Sequence, residues 1–288
     1  ATYGGNTDNE YTQKFGKQQG KYYVPQRAAA GLDPWATPQA YDNAKDFFDT
    51  GITWSNSLNV AQMLDKSSYS ISLGNTHQDG IISSTGMDRY NVKVSADTKL
   101  TNNWSSGFTA NYITTSIDKA VTSGNGLLRT VYAAPPSYDL AGIPSHVDGN
   151  PYTQNSFRGS FDNAYWAMEN NKFTEDTNRF FGNVYASYQT DFGTTNHKLN
   201  AKYMVGVDAY TTHYVDSYGY GSNTGGGRGQ IENYGWTNAT YNSLLTINYD
   251  WRINEDWGLN AVLGNEIIQS NRKKYYEYGT NYNFPGWN

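Results

Sequence analysis

The residues of this chain that could do chemistry are few and scattered. Four histidines occur, His77, His146, His197 and His213, with no ligand-like spacing to one another or to carboxylates. They read as exposed loop or turn residues rather than a metal site. The carboxylates Asp162, Glu169, Glu175 and Asp176 fall close together in what reads as one long loop. Such a group suits glycoside hydrolysis or calcium binding, and solvated loop charge is the simpler reading. No Gly-x-Ser-x-Gly elbow presents a serine nucleophile. The run Gly225-Gly226-Gly227-Arg228-Gly229 lacks the Lys-Ser/Thr of a phosphate loop and reads as a mobile loop, and Gly124-Asn125-Gly126 fails the dinucleotide pattern. The chain has no cysteine, which removes disulfides and thiolate metal sites. No enzyme activity and no cofactor is expected.

What remains is aromatic. Tyr138, Tyr152, Tyr165, Trp166, Tyr218, Tyr220 and Tyr234 lie in long connections, where ring faces can stack on sugar rings or peptide side chains. Self-packing of large loops competes with that role. Trp166 in particular is expected to pack into the loop floor.

The elements that must carry these residues are strands. Over 288 residues there are 26 Tyr, 8 Trp and 11 Phe, yet only 37% of residues are hydrophobic and the mean hydropathy is -0.74. That is too aromatic for a disordered chain. A net charge of -5 gives no basic footprint for nucleic acid. No apolar run approaches the ~18 residues of a membrane-crossing helix, whereas barrel strands need apolar residues only at alternate positions.

Residues 1–48 read as polar loop, with Pro25, Pro34 and Pro38 breaking any regular element. From Gly51 the period becomes two. Runs such as Trp54/Leu58/Val60, Tyr69/Ile71/Leu73, Tyr90/Val92/Val94 and Phe108/Ala110/Tyr112 alternate with Ser, Thr and Asn. Four more follow, around Phe180–Tyr188, Leu199–Val207, Ala239–Trp251 and Trp257–Leu263. Two short helical stretches interrupt, Gly126–Ala134 before Pro135-Pro136, and Asn163–Asn171. The breaks at 64–67, 101–103, 191–197 and 252–256 are short, and those at 75–88, 115–176 and 209–233 are long. Short and long alternate across all eight runs, as periplasmic turns and extracellular loops do in outer-membrane barrels. Trp104, Trp251 and Trp257 flank the short turns, where a bilayer interface would lie.

Several segments resemble the SusC/RagA family of TonB-dependent outer-membrane transporters. They are Lys45-Asp46-Phe47-Phe48-Asp49-Thr50-Gly51, Ser70-Ile71-Ser72-Leu73-Gly74, Asp79-Gly80-Ile81-Ile82 and Asp88-Arg89-Tyr90-Asn91-Val92. Ala134-Pro135-Pro136-Ser137-Tyr138-Asp139-Leu140, Asp162-Asn163-Ala164-Tyr165-Trp166 and Asn178-Arg179-Phe180-Phe181-Gly182-Asn183 follow. Gly264-Asn265-Glu266 and Asn283-Phe284-Pro285-Gly286-Trp287-Asn288 complete a series in order from about residue 45 to 288.

The resemblance implies an all-β, antiparallel transmembrane β-barrel of about 22 strands, of which about eight are present here. It also implies a cell outer membrane location and import of oligosaccharides or peptides. The implied partners are a SusD-like surface lipoprotein as lid, TonB, and the lipid bilayer. The expected organisation is an extracellular loop region at 1–48 and a partial barrel at 49–288, with long extracellular loops at 115–176 and 209–233. The chain is expected to be an internal segment, the plug domain being absent from it. Two other readings share the strand pattern: a passive porin or adhesin-type barrel, and a soluble all-β carbohydrate-binding protein.

Overall fold

The computed structural model describes residues 20–121 and 126–286. Residues 1–19 of the expected loop region, Gly124 and Asn125 of the first glycine motif, and Trp287-Asn288 lie outside the described residues. The chain opens on a small ladder of β1 (Tyr22–Tyr23) and β2 (Trp35–Ala36) around α1 (Pro25–Ala29), followed by α2 (Asn43–Phe47). Next come β3 (Thr53–Met63), β4 (Ser67–Asp79), β5 (Gly86–Lys99) and β6 (Trp104–Asp118). A long excursion then holds α3 (Leu127–Ala133), the ladder of β7 (His146–Val147) and β8 (Asn150–Gln154), and α4 (Ala164–Asn170). The strands β9 (Lys172–Thr190), β10 (His197–Tyr218), β11 (Gln230–Arg252) and β12 (Gly258–Thr280) complete the chain.

The main body is one 8-stranded antiparallel sheet in the order β3-β4-β5-β6-β9-β10-β11-β12. Each strand therefore pairs with its sequence neighbour, the excursion being skipped over. Among the described residues the sheet does not close, and β3 and β12 are its edges. This is the expected antiparallel wall of a barrel, in part. Its turns use the chemistry of short side chains. Thr101 Oγ1 accepts from the amides of Asn103 and Trp104, and Asn254 Oδ1 accepts from those of Asp256 and Trp257.

Register places most apolar residues of the strands from β3 to β11 on one face. Leu58, Leu73, Val92, Tyr112, Phe180, Ala209 and Ala239 form one transverse row from β3 to β11. The next row on that face is Val60, Ile71, Val94, Ala110, Gly182, Val207 and Tyr241. The opposite face carries Asn59, Ser72, Lys93, Asn111, Phe181, Asp208 and Thr240 in register.

Three expectations need correction. The connection expected at 209–233 spans only 219–229, because β10 and β11 continue through Tyr218 and from Gln230. The one expected at 75–88 shrinks to 80–85, the same length as the turn at 191–196, so strict alternation of short and long does not hold there. The cause is that hydrophobic alternation marks only the band where a strand needs one apolar face. Past that band the strand keeps its backbone ladder while its side chains become polar, and the pattern looks like loop. Third, Pro25 does not break structure but opens α1 at its first turn, where its missing N–H is not needed. Both predicted helical stretches are present, as α3 and α4.

Hydrogen–deuterium exchange on the full-length protein should separate strand extension from connection. Amides of 210–217 and 231–238 are expected to stay protected well after those of 224–228 have exchanged.

Candidate functional site

The buried apolar residues of this chain lie almost entirely outside the sheet. Val24, Phe47, Ile82, Leu127, Val131, Tyr138, Leu140, Ile143, Phe157, Phe161, Ala164, Trp166 and Ala167 form one core. They come from the 20–50 segment, the 80–85 connection and the 119–171 excursion, all at the same end of the sheet. The two largest pieces form a cap joined by backbone-directed bonds: Asn43 Oδ1 accepts from the Leu140 amide at 3.1 Å, and Asn155 Nδ2 donates to Gln26 O at 2.8 Å. By contrast the apolar face of the sheet is bare. Leu58, Leu73, Val92, Phe108, Phe180, Val184 and Val205 are all exposed.

Within the cap, Asn163 caps α4 by accepting from the amides of Tyr165 and Trp166. That start sends Trp166 inward, where it is 0% exposed and donates its indole N–H to Pro151 O at 2.7 Å. It packs as the expected loop-floor residue. Tyr138 is also buried, against Phe157 with ring centroids 5.6 Å apart. Tyr165 is half-buried, edge-on to Phe47, with its hydroxyl donating to Asp46 O at 3.2 Å. Burial pushes its phenol pKa up, and the carboxylates of Asp46, Asp49 and Asp139 add to the shift, so it remains a donor. Tyr152 sits half-buried on β8 and Tyr220 in the 219–229 connection.

The structure revises the carboxylates. Asp162 is not solvated loop charge but 5% exposed. Its Oδ1 accepts from Gln154 Nε2 at 2.8 Å and from both the amide and Nδ2 of Asn223 at 2.7 Å, while Oδ2 accepts from Ser222 Oγ at 2.6 Å. This one side chain joins the 119–171 excursion to the 219–229 connection. Gly225-Gly226-Gly227-Arg228-Gly229, expected to be a mobile loop, is held as a series of turns, with Gly221 and Gly227 bonded through Gly221 N–H to Gly227 O at 2.9 Å and Gly227 N–H to Ser222 O at 3.0 Å. Glu175 and Asp176 belong to β9, on opposite faces, rather than to a loop. Glu169 pairs with His146 at 3.0 Å, and His77 lies between Asp79 and Asp88. His197 contacts the Tyr249 hydroxyl and His213 the Asn233 side chain. Among the described residues no group of three or more His, Asp or Glu is placed to hold a metal ion.

Tyr218 and Tyr234, expected in a loop, stand on strands. Tyr218 meets Phe173 edge-on at 5.1 Å near the cap. Tyr234 belongs to a wall cluster on the polar face that sequence reading missed. Glu175, Tyr214, Tyr234 and Tyr276 are register partners across β9 to β12. Tyr214 and Tyr234 stack at 4.9 Å and 6°, and Trp236 leans on Tyr214 at 5.4 Å. Arg272 covers Trp236 at 4.7 Å, and Lys119 covers Tyr214 at 4.5 Å. Further along the same face Arg179 grips Asp208 through two bonds of 2.8 and 2.6 Å. Beside it a depression of about 470 Å³ is bordered by Lys93, Asn111, Asn183, Met204 and Asn242. The alternating Tyr and polar residues were visible in sequence, but only register brings four strands' worth of them together.

A long antiparallel meander with one bare apolar face, one polar aromatic face and a packed cap has the architecture of part of a β-barrel. Chains in solved structures of the RagAB peptide importer share it. One, from the 'closed-closed' state, superposes with a TM-score of 0.66 at 17% identity, over 85% of this chain and 27% of its own. Another, from the 'open-open' state, gives 0.69 at 15% identity, over 96% of this chain and 29% of its own. This chain thus spans less than a third of the length of those it matches. No family model and no curated protein matches the sequence.

Two substitutions test the cap. Asp162→Ala strands several buried donors, each worth about 1–3 kcal/mol, and should speed tryptic cleavage after Arg228 in the full-length protein by at least about tenfold. Trp166→Ala opens a large void and should cost the cap about 3–5 kcal/mol, read as lost order of 119–171 with the sheet intact.

Proposed function

We propose that this chain is wall and cap of a SusC-type, TonB-dependent importer of the outer membrane. The observation that carries the reading is the bare apolar face. Rows such as Leu58 to Ala239 and Val60 to Tyr241 face outward with no described residue packed on them, an arrangement that water penalises and lipid does not. On β10 the apolar residues run from Leu199 to Val207 or Ala209, which suits the ~9–11 residues of a tilted barrel strand in hydrocarbon. Aromatic rings edge the band, Trp104 with Tyr188 and Trp251 toward the short turns, and Tyr112 with Phe180 toward the cap. The short turns are then periplasmic and the cap extracellular.

The polar face lines the lumen. The cap is the surface on which a SusD-like lipoprotein would sit, and TonB would act through regions of the protein other than this wall. An oligosaccharide or a peptide passes along the lumen without chemical change. The likeness to the RagAB importer supports the wall architecture.

Uptake by cells carrying the full-length protein checks this reading against a passive porin. Import of a labelled oligosaccharide or peptide is expected to fall to background when TonB is deleted or the proton gradient is collapsed. Uptake that continues unchanged would mark a passive channel.

A further inference from the structure

We propose that the polar face near the cap, on β10 to β12, holds a subsite for a basic peptide, with Asp216 and Glu232 receiving a lysine or arginine side chain. The proposal rests on the importer reading above. Asp216 and Glu232 are direct cross-strand partners, and alternation puts both on the face that carries Tyr214 and Tyr234. Like charges placed directly opposite each other destabilise a sheet. Among the described residues neither carboxylate has an ion-pair partner. A cation bound between them would remove that repulsion.

The surroundings suit such a cation. Phe173 is the register partner of Asp216 on one side, and Tyr278 that of Glu232 on the other. The Tyr234 hydroxyl donates to Asp216 at 3.1 Å, and Tyr276 stands beside Tyr278, the register partner of Glu232, two residues along β12 on the same face. The Tyr234 bond uses one of roughly four acceptor positions on the Asp216 carboxylate, so acceptor capacity is left over. The wall itself shows the intended chemistry one register position away. There Lys119 lies 4.5 Å over the Tyr214 ring and 3.5 Å from Glu175, a cation held by an aromatic face and a carboxylate together. Among the described residues the equivalent pairs Tyr234–Asp216 and Tyr276–Glu232 have no such cation.

A second observation is independent of charge. The indole N–H of Trp236 is buried and has no hydrogen-bond partner among the described residues, a state that costs free energy until an acceptor arrives. Trp236 adjoins Tyr214 and lies two residues from Tyr234 on the same face. A ligand that answers both features brings an acceptor as well as a cation. A peptide carbonyl beside a lysine or arginine side chain supplies both. A neutral oligosaccharide can satisfy the indole but cannot neutralise the carboxylate pair.

Three probes decide it on the full-length protein with its native partners in detergent: a peptide of alternating lysine and alanine, the same peptide with glutamate for lysine, and maltoheptaose. Fluorescence anisotropy should show the lysine peptide bound at least about tenfold more tightly than the other two. Asp216→Asn with Glu232→Gln should abolish that preference, about tenfold in Kd for one lost charged contact, while heat-modified mobility on gels stays that of a folded barrel. Relief of like-charge repulsion should leave thermal stability of this double variant equal or higher. Trp236→Phe should weaken the lysine peptide several-fold. Equal affinity for lysine and glutamate peptides, or an unchanged preference in the double variant, overturns the subsite and leaves import standing. No binding and no uptake of any probe by the wild-type protein overturns both.

Discussion

Register is the constraint on which everything else depends. Side chains on a strand alternate with a period of two, so a slip of one residue in any strand would send its apolar set to the other face. Across the seven strands from β3 to β11 no such slip occurs, and Leu58, Leu73, Val92, Tyr112, Phe180, Ala209 and Ala239 stay in line. The short turns help to hold it, through side chains such as Thr101 and Asn254 that bond the first amides of the returning strand. From that one regularity come two surfaces of opposite chemistry. One suits hydrocarbon and the other suits water and a polar cargo.

The same chain builds a second kind of structure where the strands end. Among the described residues no second layer packs on the apolar face of the sheet, and the sheet has no interior of its own. The cap does need one, and draws it from segments far apart in sequence: Phe47, Ile82, Val131 and Trp166 share one core. Asp162 extends the cap to the β10–β11 hairpin. A buried carboxylate with no cation beside it among the described residues is tolerable when fixed donors meet both of its oxygens, and Gln154 and Asn223 meet Oδ1 of Asp162 while Ser222 meets Oδ2. Stiff extensions of β10 and β11 carry that connection out to the cap.

On the polar wall, charge is handled in two ways. Arg179 with Asp208 and Lys119 with Glu175 are matched pairs, which the wall closes on itself. Asp216 and Glu232 face each other with no ion-pair partner among the described residues. A stretch of wall that is self-satisfied repels nothing and grips nothing, whereas an unmatched pair ringed by tyrosines has affinity to spare.

The sequence by itself determined the class of the fold. Alternation at Ile71, Val92 or Val205 is a local property, set by one face meeting an apolar environment, and it needs no long-range information to be read. The helical stretches around Leu127–Ala133 and Ala164–Asn170 were legible for the same reason, from Pro135-Pro136 and from Asn163. Tertiary structure alone decided where strands outlast their apolar band, because backbone pairing leaves no mark on side-chain polarity; Thr211 and Tyr218 look like loop until their partners are known. It also decided which polar residues meet. Asp162 seemed one of several loop charges until burial separated it from Glu169, and Tyr234 seemed a loop aromatic until register set it between Tyr214 and Tyr276. Those contacts join residues dozens of positions apart, and only the paired backbone brings them together.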